Sequence, residues 1–267
     1  MPTSLGPNTN ASPSLLHERC IYCAGEDRGE LLQALAETGP PETQREAKEY
    51  LTSPLAGADQ PARHWYYRSY EFWRFPDFLL MLSGIGTGCL EPLLYEVLRP
   101  RIVRSIVLVG TAGMMPTGKA VLGEASVVDR AWPAATGIDG EVAELPLAPR
   151  WQLSQRERTA SIVSTDFYYG FAPAILEGKY PARGRLKALF EEHRQRGTDL
   201  VDMEVAQFYF FCRNYGDDAL QYLAVKAAAN ALGGGEQQMI HTGAALRNCL
   251  ATAFRLLGLP EQTRSCG

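Results

Sequence analysis

Phe78-Leu79-Leu80-Met81-Leu82 runs without interruption into Ser83-Gly84-Ile85-Gly86-Thr87-Gly88. Five apolar residues in a row suit a strand buried on both faces, and the glycines behind it allow a tight turn. Glu91 to Leu98 then reads as a helix. The alternation continues downstream. Ile106-Val107-Leu108-Val109 predicts a second buried strand, which ends at Gly110-Thr111-Ala112-Gly113. Ala125–Val128 and Ala160–Val163 predict further strands. Met203–Asn214 predicts a helix that is apolar nearly all round, hence buried. Leu220–Val225 is another β run, and Thr242–Leu257 an amphipathic helix. Upstream, Leu31–Arg63 reads as helix followed by loop. Strands alternating with helices predict an α/β fold with a largely parallel sheet. Ligands of such folds bind beyond the carboxyl ends of strands, so chemistry is expected at the strand exits.

The 267 residues are 46% hydrophobic and 21% charged, with a formal net charge of −4. This suits one globular domain, expected over residues 15–260, with a disordered arm at 1–14 and a tail at 261–267. A slightly acidic chain is a poor partner for nucleic acid, which needs a concentrated basic surface. No stretch approaches the ~20 apolar residues that span a bilayer, so no membrane partner is expected. The first twenty residues lack the basic start and apolar run of a secretory signal, which points to the cytoplasm. The six cysteines are scattered and mostly in apolar segments, as reduced core thiols would be. Cys20 and Cys23 form a lone C-x-x-C, whereas structural zinc needs four ligands. Neither a metal nor an organic cofactor is expected.

Five stretches could carry chemistry. Ser83–Gly88, between strand and helix, allows close backbone approach and offers helix N–H donors, but lacks the G-x-G-x-x-G spacing. Gly110-Thr111-Ala112-Gly113 presents a hydroxyl between glycines. Ser164-Thr165-Asp166-Phe167-Tyr168-Tyr169-Gly170 places aromatics where they can stack on a flat ring. Val201-Asp202-Met203-Glu204 opens the buried helix. Asp202 suits a cap, while Glu204 is a carboxylate that can accept from two adjacent hydroxyls. In Lys226-Ala227-Ala228-Ala229-Asn230, Asn230 brings a donor and an acceptor to a strand end. Read singly, each stretch is also compatible with an ordinary turn, cap or core cluster.

In this order the five stretches resemble the nucleoside phosphorylase/nucleosidase superfamily, over roughly Leu15 to Leu257. That superfamily includes uridine phosphorylase, the hexameric purine nucleoside phosphorylases and methylthioadenosine/S-adenosylhomocysteine nucleosidase. The resemblance implies a single-domain three-layer α/β/α sandwich around a twisted mixed sheet, and cleavage of a ribosyl C1′–N bond. It implies that Met203 packs on the ribose and Glu204 accepts from its hydroxyls, with Thr111 touching sugar and nucleophile. Tyr168, with Phe167, Gly113 and Asn230, would meet the base. Cys23-Ala24-Gly25-Glu26-Asp27-Arg28 takes the place of the phosphorylases' G-D-P-x-R loop, so Gly25, Arg28, Gly86 and Thr111 would frame a phosphate or water pocket. It also implies a homodimer or homohexamer in which a neighbour completes the site; His17, His64 and arginines near Arg45 are candidates.

The departures from the family pattern refine these expectations. Asn230 stands where purine-cleaving members have Asp, and an amide can hydrogen-bond to N7 without giving up a proton. The phosphate-binding Arg falls at Leu108, with Arg28 or Arg68 as replacements. Phe171 and Pro173 stand where uracil would be read. We therefore expect glycosidic cleavage of a nucleoside, purine-type, through an oxocarbenium-like transition state. Water is favoured narrowly over inorganic phosphate as nucleophile, with Glu26 or Asp27 orienting it and Glu204 and Asn230 acting at the breaking bond. The alternative is a catalytically weak or inactive relative that binds nucleosides as a sensor or store.

Overall fold

Two long strands, β5 (Ser105–Met114) and β10 (Gln221–Ala231), run parallel at the centre of a mixed sheet. On the other edge of β5 lies β1 (Arg19–Ala24), also parallel. Beyond β1 follow β4 (Leu79–Ser83), β3 (Tyr70–Arg74) and β2 (His64–Tyr67), the last two forming an antiparallel hairpin. β5 outruns β1, and its last residues Gly113 and Met114 pair instead with β9 (Leu200–Asp202). From β9 the pairing continues through β8 (Thr159–Ser164) and β6 (Ala125–Pro133), which is flanked by the short β7 (Leu145–Pro146), and returns to β10. This half of the sheet thus closes on itself, while the other half stays open. The structure, a computed structural model, describes residues 4–53, 62–147, 151, 153, 157–167, 184–232 and 242–259.

Alternation along the central strands divides the core into two layers. Cys20, Tyr22, Ile106 and Leu108 face α3 (Thr87–Leu98) and α5 (Val205–Tyr215). Ile21, Cys23, Val107 and Val109 face α1 (Arg28–Thr38), α2 (Pro41–Thr52) and α6 (Thr242–Leu256). The expected three-layer sandwich is therefore observed, with a further helix, α4 (Gly184–Arg196), packed on the closed half through Leu186 and Phe190. Cys20 and Cys23 point to opposite layers, and the cysteines among the described residues are free thiols. No described helix is long and apolar enough to cross a membrane.

The expected disordered arm is corrected by the structure for residues 4–14. Leu5, Ala11 and Leu15 are buried in the core. The Glu96 carboxylate on α3 accepts from the backbone and side chains of Asn8 and Thr9 at 2.7–2.9 Å. Arg99 donates to Leu5 O and Trp65 Nε1 to Thr9 O, so the segment is strapped across the helix.

Candidate active site

Because β1 stops at Ala24 while β5 continues to meet β9, a gap opens beside β5 at the strand exits. It is a cavity of about 270 Å³, close to the small end of ligand pockets, ~300 Å³. Gly25, Glu26, Thr111, Met203, Glu204 and Asn230 line it together, joined by Asp202 and by the exposed Ile85 at the rim. These residues come from four strand exits separated by as much as two hundred positions in sequence. The glycines have local reasons. Gly25 has a φ of +70°, and a Cβ there would collide with Ile85. A Cβ on Gly110 would meet Glu26 Oε1 at 2.6 Å and Lys226 Nζ at 3.2 Å.

Glu26 is held against β5: its Oε1 accepts from Thr111 N at 2.5 Å and Thr111 Oγ1 at 3.1 Å. Asp27 has turned away to cap α1, accepting from Glu30 N at 2.9 Å. Of the two carboxylates expected to orient a water, Glu26 is the one at the cavity. Asp202 accepts from Ser164 Oγ at 2.6 Å and from Val205 N at 3.2 Å, as a cap for α5. Glu204 follows at the head of that helix, only 4% exposed. Its Oε2 accepts from Met203 N and from Lys226 Nζ, both at 3.3 Å. Its Oε1 has no protein donor among the described residues. The carboxyl is thus tied to a lysine and yet forms part of the cavity wall. A β-bulge between Ala228 and Asn230 sets Asn230 opposite Gly113 and turns it to the cavity.

Lys226, behind the cavity wall, is the buried charge that the sequence reading passed over. It is 1% exposed, and its Nζ also donates to Asp202 Oδ2 at 3.1 Å. Burial pulls its ammonium down in pKa, but Asp202, Glu204 and Glu26 outweigh this and hold it well above the usual range. Burial pushes Glu204 up to about 8, with Asp202 adding to the rise and Lys226 opposing it. Burial also raises Glu26, against the pull of Lys226 and the Thr111 hydrogen bonds. A lysine inside Leu223-Ala224-Val225-Lys226-Ala227-Ala228 was the available signal, because a buried charge demands partners.

Several expected contacts fall elsewhere. Arg28 is corrected: its Nε donates to both oxygens of Glu71 at 3.1 Å and its guanidinium lies over Trp73, away from the cavity. Arg68 lies over Tyr67. Leu108 is fully buried in the core. Gly86 starts α3 with a φ of 84° and does not line the cavity, although its neighbour Ile85 does. Gly113 is taken up in the β5 pairing with Val201 and Asn230, and Phe167 is 57% exposed. His64 is buried within the hairpin, stacked on Trp73 and bonded to Glu71, so it is not available to a neighbouring subunit. Tyr168, Phe171 and Pro173 lie outside the described residues.

A larger cavity of about 700 Å³ lies on the closed half, around Asp129, Arg130, Trp132, Glu144 and Asp199. Its charges serve one another: Arg130 and Trp132 engage Glu144, while Asp199 accepts from Lys119 N and Ser161. Size alone does not make it the reacting site. The smaller cavity has the carboxylates with free oxygens.

No protein-family model matches the sequence, and no curated protein is similar to it. Solved structures do match over nearly the whole chain. A purine nucleoside phosphorylase from Toxoplasma gondii, in complex with immucillin-H, superposes with a TM-score of 0.65 at 14% identity, covering 96% of this chain and 95% of that one. For the uridine phosphorylase from Vibrio fischeri ES114 the TM-score is 0.59 at 14% identity, with 95% of each chain covered. For a futalosine hydrolase mutant of Helicobacter pylori it is 0.59 at 12% identity, with 90% and 98% covered. The α/β fold of this protein is therefore the one shared by nucleoside phosphorylases and nucleosidases.

Proposed function

We propose that the protein cleaves the N-glycosidic bond of a purine-type nucleoside, with water as the nucleophile. The observation that carries this reading is the convergence of Glu204, Met203, Thr111, Glu26 and Asn230 on one cavity. Glu204 accepts from the 2′- and 3′-hydroxyls of a pentose whose flat face rests on Met203. As the C1′–N bond lengthens, positive charge grows on the sugar, and the carboxylates of Glu204 and Glu26 stabilise it in a poorly solvated site. The water oxygen bonds to C1′ while its proton passes to Glu26. The electron pair of the broken bond leaves with the base, which Asn230 meets with a hydrogen bond and which then takes up one proton. A positioned base of this kind contributes ~10²–10⁴-fold.

The choice of water rests on charge. Three carboxylates and no Lys or Arg line the cavity among the described residues. Lys226 approaches from behind, already shared by Asp202 and Glu204. A phosphate dianion entering here meets like charge, which a neutral water does not. The arginines that could have served phosphate are committed to Glu71 and to Tyr67. Asn230, an amide, suits bases that leave without full protonation, such as 6-oxopurines.

The test is incubation with inosine, adenosine, methylthioadenosine and uridine, with and without phosphate, following free base and sugar. We expect free base and free pentose without phosphate, and loss of about 10³-fold or more of the rate in Glu204→Ala. Release only with phosphate, as pentose 1-phosphate, would overturn the choice of nucleophile. Normal rates in Glu204→Ala would remove that residue from the sugar site. No release, with thermal stabilisation by a nucleoside, would point to a binding protein instead.

A further inference from the structure

Three carboxylates share one buried ammonium at the cavity wall. Lys226 Nζ lies 3.1 Å from Asp202 Oδ2 and 3.3 Å from Glu204 Oε2, and Glu26 Oε1 crowds the same point over Gly110. Asp202 is well supplied by Ser164 Oγ and Val205 N besides. Glu26 and Glu204 each retain one oxygen without a protein donor among the described residues, and both line the cavity. Two uncompensated negative charges in so dry a place are unfavourable. A proton is therefore shared within the cluster when no cationic sugar is present.

The surrounding groups do not relieve this imbalance. Tyr22 and Cys23 on β1 and Cys249 on α6 feel the cluster, but burial pushes each of them up, so they stay neutral. Glu30 on α1 adds a further negative charge near Glu26. Among the described residues no other cation forms an ion pair with Glu26 or Glu204. We propose that Lys226 is a positioning residue for the cleavage reaction, whose single buried charge permits Glu26 and Glu204 to be ionised together; this role rests on the function proposed above. Both carboxylates must be ionised at once, because one holds the sugar and the other takes the proton of the water. Without the ammonium both carboxyls hold their protons to higher pH, so at a given pH the sugar is gripped more weakly and the water is activated less.

The test has one arm that needs no substrate. The infrared difference between wild type and Glu204→Gln is expected to show a carboxylic-acid stretch that fades as pH rises through about 8. In Lys226→Met the fading moves upward by about 1–3 pH units. In Lys226→Arg, which keeps the charge, it stays near the wild-type position. In the second arm, the rising limb of base release from inosine moves upward with the stretch, and the rate at neutral pH falls by about 10²-fold in Lys226→Met. If Lys226→Met does not fold, as judged by circular dichroism, Asp202→Asn/Lys226→Met removes one charge of each sign and replaces it. A folded variant whose stretch fades at the wild-type pH overturns the role of Lys226. Titration as expected in a protein that cleaves no nucleoside overturns the activity instead, and leaves the electrostatic coupling standing.

Discussion

Two buried charged clusters lie on the same sheet, one at its β2–β3 edge and one at its centre, and they solve the problem of burial differently. At the β2–β3 hairpin, one carboxylate, Glu71, accepts from Arg28 at 3.1 Å and from His64 at 2.8 Å, and both partners stack on Trp73. The Glu71 charge is matched by its two partners, although His64 Nδ1 and Trp73 Nε1 are buried without a hydrogen-bond partner among the described residues, and no expected ligand-binding residue other than Arg28 and His64 lies there. At the cavity, three carboxylates crowd one ammonium, and two of them keep an oxygen turned to open space. A matched cluster explains itself by packing. A mismatched cluster costs stability that packing does not return, and such sites are where function is expected.

The contrast is broken most sharply by Glu71→Gln. It leaves Arg28 and His64 without their carboxylate, and it should cost about 3 kcal/mol of stability, the lower end for a buried pair because Arg28 is 30% exposed. Nucleoside cleavage at saturating substrate should be unchanged. A denaturant midpoint equal to wild type would show the hairpin cluster to be dispensable. A large loss of turnover in the folded variant would join the two clusters functionally.

A second measurement reads the cavity cluster by pH. Glu204 has its pKa pushed up to about 8 from an ordinary 4.5, so between these values the folded state holds a proton that the unfolded chain has lost. Stability therefore falls as pH rises through that window and levels off above it. Relative to Glu204→Gln, wild type should lose about 1 kcal/mol per pH unit between pH 5 and 8. Glu96 provides the internal contrast. Burial pushes it up, but the hydrogen bonds from Asn8 and Thr9 outweigh this and lower it. Its contribution is thus present above its unfolded value and lost as pH falls through the folded one. Parallel curves for wild type and Glu204→Gln would mean that Glu204 is not raised.

Much of this was legible in the residues. Apolar-rich runs such as Ile106–Val109 and Leu220–Val225, the second polar only at Gln221, do form strands, and the stretches at their ends do meet at one cavity. What stayed hidden depended on distant partners. The three-residue β9 is too short for a period to register. The hairpin mixes aromatic and charged residues whose inward side, Glu71 included, is apolar only after pairing with Arg28 and His64. Arg28 stands at a motif position, yet a carboxylate 43 residues along the chain decides where it points. Residues 4–14 look like a loop by composition, and their order depends on distant partners: the acceptor Glu96, the donors Arg99 and Trp65, and the core that buries Leu5 and Ala11. Lys226 was visible as an oddity, and its meaning required the three acids that the fold brings to it.

The smallest expected effect concerns Asn230, proposed to meet the base. Asn230→Asp places a fourth carboxylate at a cavity that already has three, so its pKa should be raised by its neighbours and by burial. An acid that keeps its proton near neutrality can give it to a leaving purine, which the amide cannot. Base release from adenosine and methylthioadenosine should rise by about tenfold, short of the ~10²–10⁴ of a fully positioned acid, while release from inosine changes less. The gain should vanish at alkaline pH, where the new group ionises and repels Glu26 and Glu204. An unchanged preference between adenosine and inosine would place Asn230 away from the base, and the bulge at Ala228 would then serve only the closure of the sheet.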